Sequence, residues 1–208
     1  MNRTAIRLIL ALAAFAALAE PAFAHHLMGG KMPATFGEGI LSGLGHPVIG
    51  LDHFAAVVAI GCLAAAHRAA PALAIAFVVA MMCGVAVHLQ AVTVPAAELL
   101  VAGSVIILGA ILVARRDLSV AGALALFVLV GLIHGYALGE SIYGAERTPL
   151  TAYLIGLAVI QSVVALSAMS IARALARKDA VKLRLVGAGI AGIGLAVLVQ
   201  QLISAPPA

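Results

Sequence analysis

Six apolar runs follow one another through residues 51–66, 71–94, 96–114, 119–138, 150–172 and 183–203, and they leave the chain little choice of architecture. The last five each have about the length that a hydrocarbon core of about 30 Å demands of a helix. In that medium every backbone N–H and C=O must be satisfied within the protein, which restricts a spanning chain to helices or a closed barrel. Ala and Leu dominate the runs, and no alternating polar and apolar pattern bounded by turns occurs. A barrel is thereby disfavoured, and the expectation is an all-α polytopic membrane protein. Composition agrees, with 64% of residues hydrophobic and 10% charged; a soluble domain carries about 45–50% and about 25%.

The first 24 residues read as a removable leader. Arg3 and Arg7 form a basic start, residues 8–18 an apolar core, and Ala22-Phe23-Ala24 a small-residue cleavage site. An uncleaved first span is the alternative, although the apolar core is short and Glu20-Pro21 ends it. Cleavage leaves His25 as the mature N-terminus and residues 25–208 as a single transmembrane domain of six helices. The first of these is preceded by a broken or half-helix segment over residues 36–44.

Loop charge sets the orientation. Counting alternate loops, one side carries Arg68, Arg115, Arg116, Arg173, Arg177, Lys178, Lys182 and Arg184, and the other side of the mature chain only Lys31 and Arg147. The cation-rich face is expected to be cytoplasmic, with both mature termini outside a bacterial inner membrane. The net charge of +4 sits in these loops, so it reports topology and gives no reason to expect nucleic acid. Cys62 and Cys83 fall inside spans, where they read as small apolar fillers and not as a disulfide pair.

Against this background the ionisable residues inside the runs stand out, because each is costly there and marks a functional site until a partner is found. His46, Asp52 and His53 stand at the mouth of the first run. His88 lies about two turns from the end of the second, Glu98 opens the third, His134 lies about one turn from the end of the fourth, and Glu140 follows it. All are placed in one layer about 10 Å deep at the cation-poor face. Singly each has a plain reading: an interhelical hydrogen bond for a histidine, a complement to the helix dipole for Glu98. Together, neutral imidazoles and carboxylates are the ligands that suit a divalent transition metal. His25, His26, Met28 and Met32 form a softer cluster that is equally well a plain polar tail. Met81, Met82 and Cys83 read as packing, and Gln161 and Ser162 as isolated polar groups in the fifth run.

The stretch Gly45-His46-Pro47-Val48-Ile49-Gly50-Leu51-Asp52-His53 carries a geometric constraint. In one straight helix the two imidazoles would stand about 10.5 Å apart, too far to chelate easily. Pro47 with Gly43, Gly45 and Gly50 predicts a broken helix, in which His46 folds back towards Asp52 and His53.

These residues resemble a known family. His46-Pro47-x-x-Gly50-x-Asp52-His53 is similar to the signature of the HupE/UreJ membrane proteins. So are Glu98-x-x-x-x-x-Ser104, Leu132-Ile133-His134-Gly135-Tyr136-Ala137, Gly139-Glu140-Ser141-Ile142 and Gly144-Ala145-Glu146. The resemblance covers nearly the whole mature chain. It implies secondary uptake of Ni2+ or Co2+, associated with hydrogenase, urease or cobalamin metabolism. Many members carry a second histidine four residues after the first in the fourth-span motif; here that position is Leu138, which weakens a two-ligand role for this span.

The expected function is therefore a permease taking up Ni2+ or Co2+ through a His/Asp/Glu site. No enzymatic activity and no permanently bound cofactor are expected, and its partners are the metal ion, the bilayer and conceivably further copies of itself. A metal-binding accessory factor that holds the ion without conducting it is the second reading. A haem-binding electron carrier using His88 and His134 is the third. No G-x-x-x-x-G-K-[ST], H-E-x-x-H or G-x-S-x-G sequence occurs, which leaves no motif for ATP use or intramembrane proteolysis.

Overall fold

The computed structural model describes residues 31–178 and 180–204, all of whose regular structure is helical. The expected leader, His25 and His26 lie outside the described residues. The elements are α1 (Phe36–Ile49), α2 (Leu51–Ala64), α3 (Ala70–Leu89), α4 (Ala97–Ala114), α5 (Val120–Gly139), a 3-10 turn (Glu140–Ile142), α6 (Arg147–Lys178) and α7 (Ala180–Ser204). Five of these helices are long and apolar enough to cross a membrane, and the bent pair α1–α2 brings the number to as many as six. Mid-helix Ile107, Leu129, Val159 and Leu195 are all exposed, as a lipid-facing belt requires and a water-facing one would not tolerate. This is a multi-pass helical membrane protein.

The half-helix before the first span is longer than expected. Thr35 caps α1 in a capping box: its hydroxyl accepts from the Glu38 N–H at 3.2 Å, and Glu38 Oε2 accepts from the Thr35 N–H at 3.2 Å. The helix then runs through Pro47 to Ile49, and the chain bends by 77° into α2. The break falls at Gly50 alone (φ −68°, ψ 101°), not at Pro47. Pro47 sits in the last turn and has no N–H, so it cannot make the helical bond to the Gly43 carbonyl, yet the helix continues past it.

Lipid tails are as apolar as leucine, so helices in a bilayer associate through close packing of small residues and interhelical hydrogen bonds. Three helix pairs here do so. In α3–α5, running parallel, Gly135 lies against the Met81 backbone and Gly84 against Leu132 and Tyr136. In α4–α7, antiparallel, Gly109 meets Gly187 and Ala191, as the small-residue spacing of the last run predicts. The bent pair packs on α6. Gly39 meets Pro149, Gly43 meets Tyr153, and Gly61 meets Ala165, so α1 and α2 advance together along α6 in one direction. At the far end Arg173 donates to the carbonyls of Ala65 and His67 at 3.3 and 3.1 Å, fastening the chain after α2 to α6. The helix directions alternate as the loop-charge count requires.

A candidate metal site in two parts

The bend at Gly50 gathers the residues on either side of it. A side chain at Gly50 would meet His53 Cδ2 at 3.0 Å, Asp52 Oδ1 at 3.3 Å and the His46 carbonyl at 3.4 Å, so this corner is closed around the glycine. The His46 and His53 rings stand 6.2 Å apart between centroids, well under the separation of a straight helix. Asp52 Oδ1 accepts from the His53 N–H at 2.8 Å. All three side chains are buried, and the expected fold-back of His46 is present.

His134 on α5 completes this buried group. His53 Nδ1 lies 2.9 Å from His134 Nδ1, and His134 Nε2 lies 2.8 Å from Ser104 Oγ on α4. Ser104 also donates its hydroxyl proton to the Val101 carbonyl, at 2.7 Å. A hydroxyl has one proton, so its oxygen must accept from His134 Nε2–H. His134 then offers a lone pair at Nδ1, to which His53 donates from its own Nδ1. The network thus assigns the protons within it: His134 is protonated on Nε2 and His53 on Nδ1. A ligand histidine commonly donates its second ring N–H to an orienting partner in this way. The pattern Glu98-x-x-x-x-x-Ser104 marks Ser104 in the sequence, without giving its hydroxyl a role.

The other predicted residues assemble elsewhere. His88, Glu98 and Glu140 line an open cavity of about 460 Å3 at the cation-poor face, together with Tyr136 and Gln201. Glu98 accepts from Gln201 Nε2 at 3.3 Å. His88 packs its ring on Tyr136 and Tyr143, at 4.7 and 5.7 Å between centroids, and its buried Nδ1 has no hydrogen-bond partner. Glu98 precedes Ser104 by six residues on α4, and Glu140 opens the turn six residues after His134, so the backbone at both stands about 9 Å nearer the cation-poor face than the buried group. Asp52 remains within electrostatic range of Glu98 and of His134. The single layer expected from the sequence is thus two tiers. Among the described residues, no three His, Cys, Asp or Glu side chains stand close enough to hold one ion in this arrangement.

His88 differs from expectation in depth as well. α3 ends at Leu89, not near Val94, which puts His88 in the last turn. Ala91 and Ala96 adopt left-handed conformations (φ 57° and 55°), and Pro95 cannot continue a helix. Tyr136 holds the loop between them: its hydroxyl donates to the Val92 carbonyl at 2.7 Å and accepts from the Val94 N–H at 2.9 Å. Tyr136→Phe is expected to speed amide exchange in residues 91–96 while leaving exchange in the helices unchanged; unaltered loop exchange would contradict this tie. Deeper in the bundle, Met81 is wholly buried and takes a contact from Gln161 Nε2 at 2.7 Å, while Cys83 is exposed.

Comparison with known proteins agrees with the residue pattern. The sequence profile of the HupE / UreJ protein family matches residues 12–197. A curated relative, Protein HupE of Rhizobium leguminosarum bv. viciae, is 29% identical over 187 residues, covering 88% of this chain and 94% of its own. No solved structure matches.

Proposed function

The chain belongs to the HupE/UreJ family, and on that premise we propose that it carries a divalent transition metal, Ni2+ or Co2+, inward across a bacterial inner membrane. The observation that carries this reading is the break at Gly50, which sets His46, Asp52 and His53 around one corner inside an apolar bundle. The His53 imidazole, His46 and the Asp52 carboxylate stand together at that corner. His134 and Ser104 hold the His53 ring by its Nδ1–H. Imidazole and carboxylate suit Ni2+ and Co2+, and the negative charge of Asp52 favours a cation over a neutral solute. Both mature termini lie on the cation-poor, extracytoplasmic side, and the ion enters from there. The membrane potential supplies about 4–5 kcal/mol for a divalent ion at 100 mV, so no ATP is needed.

Radiolabelled metal uptake by cells expressing wild type, His46→Ala and Asp52→Asn tests this directly. Both variants should fall to the background of cells lacking the protein. Equal uptake in all three would overturn the mechanism. The accessory reading, in which the protein holds metal for a hydrogenase, urease or cobalamin pathway, draws on one observation. Outside the histidine cluster and Ser104, the buried polar side chains among the described residues are the uncharged Ser42 and Gln161. Liposomes containing the protein and an entrapped metal-sensing dye separate the two: a dye response supports conduction, and binding without a response supports holding.

A further inference from the structure

We propose, resting on the transport reading above, that Gln161 in the middle of α6 is the ligand that takes the ion from the histidine corner. Its side-chain oxygen passes the ion on towards the cation-rich face.

Gln161 is 1% exposed, and its amide is satisfied at one end only. Nε2 meets Met81 Sδ at 2.7 Å, whereas the buried Oε1 has no hydrogen-bond partner. The amide is planar, so holding Nε2 on the sulfur turns Oε1 to the opposite side. A buried carbonyl oxygen without a donor is costly, and leucine would fill the same space without that cost. Water does not meet the need, because the void that Gln161 lines, about 150 Å3 in all, is too narrow for a water molecule. A divalent ion stripped of its water shell is smaller than a water molecule, and oxygen is a ligand it accepts.

The void lies against the corner. Its walls include Pro47 and Val48, which follow His46, and Phe54, which follows His53. Pro47 leaves the Gly43 carbonyl without its helical donor, and that carbonyl points along α1 towards Pro47, on the face that packs on α6. Depth follows from α3, which runs towards the cation-poor face. Gly84 lies against Leu132 and Tyr136, level with the His134 between them, and Met81 comes three residues earlier. Met81, which holds the Gln161 amide, is therefore about 4.5 Å nearer the cation-rich face than His134. Both oxygens are neutral. They hold a divalent ion less tightly than imidazole with carboxylate does, so the ion is received and then released, as conduction through successive sites requires.

Two measurements on the full-length protein test this, both with Ni2+ as the probe: the response of a metal-sensing dye entrapped in proteoliposomes, and equilibrium dialysis in detergent. Gln161→Leu removes the oxygen at little change in volume. It should melt no lower than wild type and bind Ni2+ within about twofold of it, because the histidine corner is intact. Its rate of dye response at saturating Ni2+ should fall by roughly tenfold or more, through the loss of a ligand on the way across. Met81→Leu conserves volume and lets the amide turn, so it should slow the response by a smaller factor, about threefold, at unchanged binding. A side chain that only props up the corner would instead lower melting, binding and rate together. A wild-type rate in Gln161→Leu, or a fall in its rate matched by an equal fall in Ni2+ binding, would overturn the proposal. If Gln161→Leu does not fold, Met81→Leu decides in the same way. A wild-type protein that gives no dye response refutes the transport reading, and this proposal with it; a response that Gln161→Leu keeps in full refutes this proposal alone.

Discussion

Replacing His134 by alanine is expected to abolish metal accumulation in cells that still make and insert the protein. His134 is fully buried and is the junction of the chain that runs from His53 through His134 and Ser104 to the Val101 carbonyl. Alanine leaves the His53 Nδ1–H with no acceptor, so that ring is free to turn away from Asp52 and His46. A buried donor without a partner costs about 1–3 kcal/mol by itself. Ser104→Ala probes the same chain one step further from the ion. It removes the acceptor for His134 Nε2–H and frees both rings, which for an outer partner of a ligand histidine typically costs about 10- to 100-fold in metal affinity. Ser104→Thr keeps the hydroxyl and should retain most of the affinity. If Ser104→Ala binds metal like wild type while His134→Ala does not, the orienting chain is wrong and His134 acts alone.

The second large effect concerns assembly. Gly135→Ala should leave little folded protein, because the added methyl would land on the backbone carbonyl oxygen of Met81. Backbone cannot swing aside as a flexible side chain does, so α3 and α5 must separate along their contact. Overpacking of this kind costs about 1–3 kcal/mol, and a displaced helix pair more. The change lies next to His134, so the histidine cluster would be displaced with it. Gly103→Ala is the control: it stands in a spanning helix with nothing within 4 Å, and alanine is the better helix former. Thermal unfolding in detergent, with size-exclusion chromatography, should show Gly135→Ala destabilised or aggregated and Gly103→Ala unchanged. Equal melting of the two would refute the packing argument.

Most of the fold could be read from the sequence because the bilayer imposes it. The later run boundaries lie within a few residues of α4, α5 and α7. What failed did so where local chemistry competes with hydropathy. Val92 and Val94 are as apolar as a helix needs, yet the left-handed Ala91 and Ala96 and the Tyr136 hydroxyl make them loop. Residues 147–149 and 173–178 look like a loop by charge, yet α6 continues through them beyond the apolar core. Pro47 and Gly50 both mark a break in the sequence, and only Gly50 leaves the helix. At the site, the ionisable residues identified themselves by their cost in a membrane. Their division into two tiers depends on which helices adjoin, and a single sequence carries no record of that. Ser104 stood out only through its place in the family resemblance, and Gln201 carries no charge to set it apart from ordinary polar positions.

One consequence of the way α1 and α2 lie along α6 concerns the making of the protein. Each half of the bent pair has 14 residues, about 21 Å of helix, too short to cross the hydrocarbon unaided. Their shared partner surface, from Pro149 to Met169, is synthesised about a hundred residues later. His46, Asp52, His53, His88, Glu98, Ser104, His134 and Glu140 all precede it. A nascent chain that has just completed α5 therefore possesses those side chains but not the rail that closes the corner at Gly50. The side chains of the candidate site are therefore all made well before the corner can close, which waits for α6, the fourth of the long helices, to enter the bilayer.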